Sequence, residues 1–235
     1  MTSGIHDGHR ERTKRRFLKS GLDAFEPHNV LELMLFYAIP KRDTNELAHR
    51  LIETFGSFDK VLEADVEQLA KVKGMGEHSA TLLKLFLASY GYYEREKSKE
   101  GFIATSSNEV VNYVKSLYVG EKNEIVYLLC LDVKLKLINC VKISDGSVNS
   151  ASVSVRRVVE AATANGAVAV ILAHNHPNGF ATPSAEDIMT TKRILKALYP
   201  IDIQLSDHIV VGTNGAVSMA DAGVIYNMKQ ELNYQ

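Results

Sequence analysis

One short stretch in the second half of the chain places two histidines and an aspartate where they can share a metal ion. The stretch reads HNHPNGFATPSAED over residues 174–187. His174 and His176 end an apolar run with strand character, and side chains two apart on a strand point to the same face. Asp187 falls in the first turn of the next predicted helix and can fold back toward them. Two imidazoles and one carboxylate are typical of a catalytic zinc site, which keeps a fourth position for water.

Ser184 and Asp187 also fit a simpler pattern, the Ser-x-x-acid box that caps the N-terminus of a helix. On that interpretation both residues only satisfy backbone N–H groups. Burying two histidines without a shared partner is costly. The combination therefore favours Asp187 as a ligand and Ser184 as a cap whose hydroxyl also faces the site.

Asp207 and His208 form another candidate pair in the segment SDHIVVG. Neighbouring residues of a strand point to opposite faces, so the two side chains cannot easily share one metal ion. We interpret His208 as structural, with a role behind the ligands or toward the substrate as the alternative.

The segments around these residues predict helices packed on a sheet. Strand-like runs are EIVYLLCLD, KLKLINCVKI, AVAVILAHNH and DIQLSDHIVVG, with a turn expected at DGS (residues 145–147). The amphipathic segments VRRVVEAATANG and PSAEDIMTTKRILKALY lie between them and predict helices. Alternating strands and helices indicate a mixed α/β layer.

The first half has helical patterns instead, as in HNVLELMLFYAI and NELAHRLIETF. We therefore predict a helical domain over residues 1–100 and an α/β domain over residues 101–235. Within the first, Gly74-Met75-Gly76 separates two helical patterns and resembles a helix-hairpin-helix turn, whose backbone N–H groups can approach a phosphate.

The charged residues around that turn give opposite indications for nucleic-acid binding. Lys71, Lys73 and Lys84 could assist nucleic-acid binding, whereas Glu77 disfavours a phosphate at the turn. A glycine pair between helices is also often only a connector.

Composition excludes several classes of protein. The 235 residues carry 27 Lys and Arg against 28 Asp and Glu, a net charge of -1, so the chain lacks the overall excess of a strong nucleic-acid binder. The local exception is the first twenty residues, which we interpret as a partly frayed solvated arm or a phosphate-contacting one. Its basic residues are Arg10, Arg12, Lys14, Arg15, Arg16 and Lys19.

The expected location is the cytoplasm, with no membrane partner. No apolar run approaches the ~18 residues of a membrane span, and no apolar stretch follows the charged N-terminus. Cys130 and Cys140 are too few for a disulfide framework or a thiolate zinc cage and agree with a reducing compartment.

The pattern His-x-His-Pro, six residues, Ser, two residues, Asp matches the JAMM (MPN+) metalloprotease motif position by position. ILAHNHPNGFATPSAEDI and the downstream SDHIVVG resemble the RadC family, and LELMLFYAI, HRLIETFGSF and the glycine turn resemble its helical N-terminal region. The resemblance spans roughly residues 10–220. Asn178 departs from it, because family members usually have Ser there.

The resemblance implies a JAB/MPN fold, a cytidine-deaminase-like α/β/α mixed sheet, preceded by a small all-helical domain. It also implies a zinc ion (Zn2+) held by the residues matching His174, His176 and Asp187. JAMM enzymes use an upstream glutamate as general base. Glu124 is the best match in this chain, and Glu160 is the fallback.

The resemblance further implies a zinc-dependent metallopeptidase-like hydrolase that cleaves a peptide or isopeptide amide bond. Glu124 would handle the proton and the Ser184 hydroxyl would donate to the oxyanion, with a peptide or protein as substrate. A DNA-repair or recombination-associated accessory protein that binds nucleic acid through residues 1–100 is the alternative. The sequence leaves open whether the chain forms a homodimer. A zinc nucleobase deaminase is disfavoured because the site has His-x-His where deaminases have His-x-Glu, and because Cys130 and Cys140 are too far apart for a Pro-Cys-x-x-Cys motif.

Overall fold

The computed structural model describes residues 5–99, 102–144 and 153–233. The chain divides into two compact units, residues 1–90 and 91–235. The first contains helices α1 (Ile5–Ser20), α2 (Pro27–Ala38), α3 (Asn45–Phe55), α4 (Phe58–Glu63), α5 (Val66–Ala70) and most of α6 (Glu77–Lys99). The turn expected at residues 145–147 lies outside the described residues.

The helical unit has its own apolar core. Leu31 and Leu35 of α2 are fully buried against Leu51 of α3 and Leu83 of α6. Gly74, in the turn between α5 and α6, has a φ of 100°, a left-handed conformation that favours glycine. The glycine-containing turn between two helical segments that the sequence predicts is therefore present.

The basic N-terminal segment is a helix rather than a frayed arm. The Arg10 guanidinium of α1 donates to the backbone carbonyls of Phe36, Ile39 and Arg42, at and beyond the C-terminus of α2. The Arg16 guanidinium lies 3.9 Å from the centroid of the Phe25 ring. Some of the positive charge of this segment therefore holds the helical unit together.

The second unit is built on a five-stranded sheet. Its strands are β1 (Val126–Leu131), β2 (Leu137–Ser144), β3 (Ala169–Asn175), β4 (Gln204–Gly212) and β5 (Gly215–Ser218), in the order β2-β1-β3-β4-β5. β1 is antiparallel to β2 and β3, β3 is parallel to β4, and β4 is antiparallel to β5. The central strand β3 is buried along its whole length, which explains its continuous apolar run.

Helices cover both faces of this sheet. The helices α7 (Ser107–Ser116), α8 (Val155–Ala164), α9 (Ala185–Leu198) and α10 (Val224–Asn233) belong to this unit, with a short 3-10 turn at Tyr199–Ile201. Apolar residues of α8, α9 and α10 pack on one face, and those of α7 pack on the other. The predicted mixed α/β sheet between layers of helices, preceded by a helical region, is confirmed.

Among the described residues, no helix combines the length and the apolar character that crossing a bilayer requires.

Candidate metal centre

Three side chains converge at the carboxyl end of β3. His174 lies in β3, His176 follows its last residue, and Asp187 lies in the first turn of α9. The Nε2 atom of His174 is 3.0 Å from Nε2 of His176 and 3.2 Å from Oδ1 of Asp187, and Nε2 of His176 is 3.6 Å from Oδ2 of Asp187. The potential ligand atoms of these residues lie within 4.8 Å of one another. The structure therefore brings the three predicted ligands together, in a geometry that one cation can bridge.

Asp187 acts as a helix cap and faces the histidines at the same time. Its Oδ2 atom accepts hydrogen bonds from the backbone N–H and the hydroxyl of Ser184, both at 2.7 Å, while Oδ1 faces His174. Burial acts to raise the pKa of Asp187, but the interactions with His174 and Ser184 outweigh it and hold that pKa well below its ordinary value. The capping and ligand interpretations of this residue are therefore compatible, because Oδ1 is directed at His174 while Oδ2 accepts the hydrogen bonds of the cap.

His176 is held by the loop that follows β3. Its Nδ1 atom is 2.9 Å from the carbonyl oxygen of Phe180, and its backbone N–H donates to the carbonyl of Val211 in β4. A carbonyl can only accept, so Nδ1 carries a proton, and Nε2 is the ring nitrogen left to bind a metal. Gly212 allows this loop to approach β4, because a Cβ there would lie 2.3 Å from the backbone nitrogen of Ala181.

His174 is 2% exposed and contacts a second buried histidine. Its Nδ1 atom is 2.7 Å from Nε2 of His208 in β4, and Nδ1 of His208 is 2.6 Å from the hydroxyl oxygen of Thr191 in α9. Burial lowers the pKa of His208 to about 3, which favours a neutral imidazole directly behind a candidate ligand.

Asp207 points away from His208, as the strand alternation predicts. Its carboxylate accepts hydrogen bonds from the Ser218 hydroxyl and the backbone N–H groups of His208 and Ala220. Asp207 thus stabilises the β4–β5 hairpin and the segment after it.

Glu124 lies two residues before β1, the strand that pairs with β3. Val126 is the register partner of His174, and the buried side chain of Asn175 bridges the residues on either side of Glu124. Asn175 accepts from the N–H of Ile125 at 2.7 Å and donates to the carbonyl of Asn123 at 3.0 Å. The backbone of Glu124 is therefore tied to β3 between the two histidines.

The alternation of β1 indicates which face Glu124 occupies. Val126 packs in the same apolar cluster as Leu172 of β3, and Ile125 packs in the cluster on the opposite face. Glu124 is one residue further back, so the alternation assigns it to the face of Val126, Leu172 and His174. Its role as general base stays a prediction.

The other candidates have different surroundings. Ser184 faces the site, but its hydroxyl donates to Asp187, so its oxyanion role also stays a prediction. Glu160 pairs with Arg156 at 2.7 Å on the exposed side of α8, which fits its lower rank as a candidate base. Burial raises the pKa of Cys130 to about 11 and that of Cys140 to about 12, which disfavours thiolate ligands.

Sequence reasoning gave too little weight to three residues behind the ligands. They are Thr191, His208 and Asn175, and all three are buried. His208 and Asn175 could have been suspected from the sequence, since one is a histidine in a strand and the other lies between the two histidines. Thr191 gives no signal, because a threonine in an amphipathic helix has no distinctive pattern.

The donor set fits zinc. Two imidazole nitrogens and one ionised carboxylate oxygen are the ligand types of catalytic zinc sites, which use three protein ligands. With both Nε2 atoms unprotonated, two nitrogen lone pairs and a carboxylate would repel one another at these distances, and a cation bound between them would remove that repulsion. His174, His176 and Asp187 would hold the ion.

Comparison with known proteins covers both units. Residues 104–224 match the family model described as a RadC-like JAB domain, and residues 44–89 match one described as a SAM-like helix-hairpin-helix tandem. The UPF0758 protein SPO0054 of Ruegeria pomeroyi is 36% identical, over 96% of this chain and 100% of that protein. The UPF0758 protein FN0909 of Fusobacterium nucleatum is 32% identical, again over 96% and 100%. The JAB match includes all three residues of the candidate metal centre.

Proposed function

The chain belongs to the RadC family, and on this premise we propose that it is a zinc-dependent hydrolase that cleaves amide bonds, of peptide or isopeptide type. The observation that carries the proposal is the convergence of His174, His176 and Asp187 within 4.8 Å at the end of a central strand. A JAB-type domain with this ligand set supports a hydrolase rather than a binding module.

A bound zinc ion would supply a Lewis acid for the scissile carbonyl and would lower the pKa of water toward neutrality. The protein would contribute the remaining steps. Glu124 would take a proton from the attacking water and deliver it to the leaving amine. Asn175 would hold the backbone on both sides of Glu124, so that the carboxylate stays on the face of His174.

Ser184 would have two tasks in this proposal. Its hydroxyl donates to Oδ2 of Asp187 and thereby orients the ligand. Rotation of the same hydroxyl would let it donate to the oxyanion, and loss of a comparable oxyanion donor costs about 2.7–4 kcal/mol. Ser184→Ala should therefore slow turnover and also weaken metal binding slightly.

The decisive experiment separates metal binding from proton transfer. Glu124→Gln should bind zinc like the wild type but lose turnover by about 10²–10⁴-fold, the range for a missing acid–base group. Zinc content by elemental analysis and hydrolysis of a peptide library read by mass spectrometry give both quantities. Glu160→Gln is the matched control and should keep both. Equal loss of zinc in Glu124→Gln and Asp187→Ala would contradict the role of Glu124, and a wild-type protein without zinc affinity would contradict the proposal.

A second candidate function is nucleic-acid binding by the helical unit, favoured by the helix-hairpin-helix match over residues 44–89. Gly74 provides the turn, and Lys71 and Lys73 are exposed beside it. Lys84 instead donates to the carbonyls of Leu62 and Glu63 and so caps α4.

The test is a salt titration of DNA binding by the full chain. Charge reversal at Lys71 and Lys73 should reduce the affinity for DNA. It should also lower the slope of log affinity against log salt concentration by about two, because two phosphate contacts are lost. Charge reversal at Lys41, which is also exposed, is the control. A DNA affinity that changes neither with salt concentration nor with charge reversal at Lys71 and Lys73 would contradict this function.

A further inference from the structure

We propose that Thr191 and His208 are positioning residues that fix the tautomer of His174, so that its Nε2 lone pair is directed at the metal. The inference rests on the proposed metal centre and extends it to two residues that touch neither metal nor substrate. It follows from the direction of each hydrogen bond in one buried chain.

The chain begins at a group that can only accept. The hydroxyl oxygen of Thr191 lies 2.6 Å from the backbone carbonyl oxygen of Asp187, one helical turn earlier in α9. Two oxygens at this distance need a proton between them, and the carbonyl has none to give. The Thr191 hydroxyl proton therefore points at Asp187.

The next two links follow from the first. Because the Thr191 proton is committed, its oxygen acts as an acceptor toward Nδ1 of His208 at 2.6 Å. His208 is 2% exposed, and a proton on its Nδ1 leaves Nε2 as the acceptor of the ring. Nε2 of His208 then accepts from Nδ1 of His174 at 2.7 Å, so Nε2 is the nitrogen of His174 that is left to bind the metal.

These hydrogen bonds complete a closed ring of contacts that joins two candidate metal ligands, Asp187 and His174. It runs from the backbone of Asp187 through Thr191 and His208 to His174, whose Nε2 returns to Oδ1 of Asp187 at 3.2 Å. His176 reaches the same tautomer with one carbonyl acceptor, but His174 is buried where its neighbour is an imidazole, which can donate or accept. Thr191 removes that ambiguity. Metal-bound histidines commonly donate their other N–H group to such a partner.

The threonines of α9 provide a matched test. Thr191→Val keeps the shape but removes the hydroxyl, and it should weaken zinc binding about 10-fold, the lower end for residues supporting metal ligands. Thr191→Ser keeps the hydroxyl and should stay within about 3-fold of the wild type. Thr190 is also buried and is not part of this chain of hydrogen bonds, so Thr190→Val is the control and should leave the affinity unchanged.

His208 offers a second pair of variants. His208→Leu removes the acceptor and should weaken zinc binding by about 10–100-fold. His208→Gln places an amide oxygen near the position of Nε2 and should recover most of that loss. The pair keeps the test decisive if Thr191→Val does not fold.

Two readouts decide the outcome, zinc affinity from competition with a fluorescent chelator and nitrogen-15 NMR of the histidines in the zinc-loaded protein. The expected spectrum places the His174 proton on Nδ1 in the wild type. Equal affinities of Thr191→Val and Thr190→Val, or a proton on Nε2 of His174, would overturn this inference while the metal centre stands. A wild-type protein that does not bind zinc would overturn the proposed function and this inference with it.

Discussion

Each unit of the protein contains a carboxylate that meets a histidine, and the two arrangements differ in one respect. Glu32 of α2 is buried, with Oε1 2.9 Å from Nε2 of His9 and Oε2 accepting from the side-chain amide of Asn45 at 3.2 Å. Asp187 meets two imidazole nitrogens that also face each other at 3.0 Å. Glu32 therefore meets one imidazole and one amide, whereas two imidazoles converge with Asp187 on one point, where all three side chains can share a cation.

A nearby histidine and partial or full burial do not distinguish a structural carboxylate from a candidate metal ligand, because Glu32 and Asp187 share these properties. The informative property is the direction of the surrounding hydrogen bonds. Nδ1 of His176 donates to a carbonyl, and Nδ1 of His174 faces a neutral imidazole, so both Nε2 atoms are left for a metal.

The largest expected effect is on zinc affinity, which should depend on Asp187 and not on Glu32. A zinc site with four ligands is worth about 10–16 kcal/mol, so loss of one ligand should cost about 3 kcal/mol, or more than about 100-fold in affinity. Asp187→Ala should show this loss in chelator competition, and Glu32→Ala should stay within about 2-fold. A similar zinc affinity for Asp187→Ala and the wild type would erase the proposed distinction.

A smaller effect separates them by stability. Glu32→Ala leaves His9 and Asn45 without their acceptor and should lower the free energy of unfolding by about 1–3 kcal/mol. Glu53→Ala, at an exposed position of α3, is the control and should stay within about 0.5 kcal/mol. Urea unfolding of the metal-free full chain, followed by circular dichroism, measures both. Indistinguishable midpoints for the two variants would show that the Glu32 contacts add nothing.

The smallest effect concerns Asp207, which like Glu32 is a buried carboxylate with hydrogen-bond donors around it. Burial raises its pKa, although the hydrogen bonds from Ser218, Ala220 and His208 oppose that shift. A carboxyl with a raised folded-state pKa binds more protons folded than unfolded, so its stabilising contribution is present at low pH and is lost as pH rises through that pKa.

Asp207→Asn carries no charge and should lack this loss. The wild type should therefore lose stability relative to Asp207→Asn as pH rises from about 4 toward neutrality. Urea unfolding of the metal-free proteins at several pH values tests the sign. A stability difference that is constant with pH, or that grows in favour of the wild type, would contradict it.

The sequence predicts the helices and strands of this fold better than it predicts which of them lie next to each other. The apolar run before His174 correctly indicates a buried strand, and the Ser184–Asp187 box correctly marks the start of a helix. Both follow from local chemistry. The contact between His174 and His208 depends on the parallel pairing of β3 with β4, including a register shift at its start, and no local pattern encodes that.

The charge pattern of the first twenty residues was the least informative feature. A cluster of arginines suggests a solvated or phosphate-binding arm, but Arg10 is used to bind carbonyls at the C-terminus of α2. Counting charges cannot distinguish these uses, because the acceptors are backbone atoms with no sequence signature. The turn at Gly74 was predictable because the left-handed conformation selects for glycine.

The close approach at Gly212 has a consequence for engineering. A side chain there would overlap the main chain of Gly179, Phe180 and Ala181, the segment whose carbonyl orients His176. The loop over residues 176–181 and the end of β4 therefore depend on each other, although they are distant along the chain. Grafting the loop into another protein would fail unless the receiving strand also has a glycine at the position of Gly212. The smallest unit that could be grafted is therefore the loop together with this strand end.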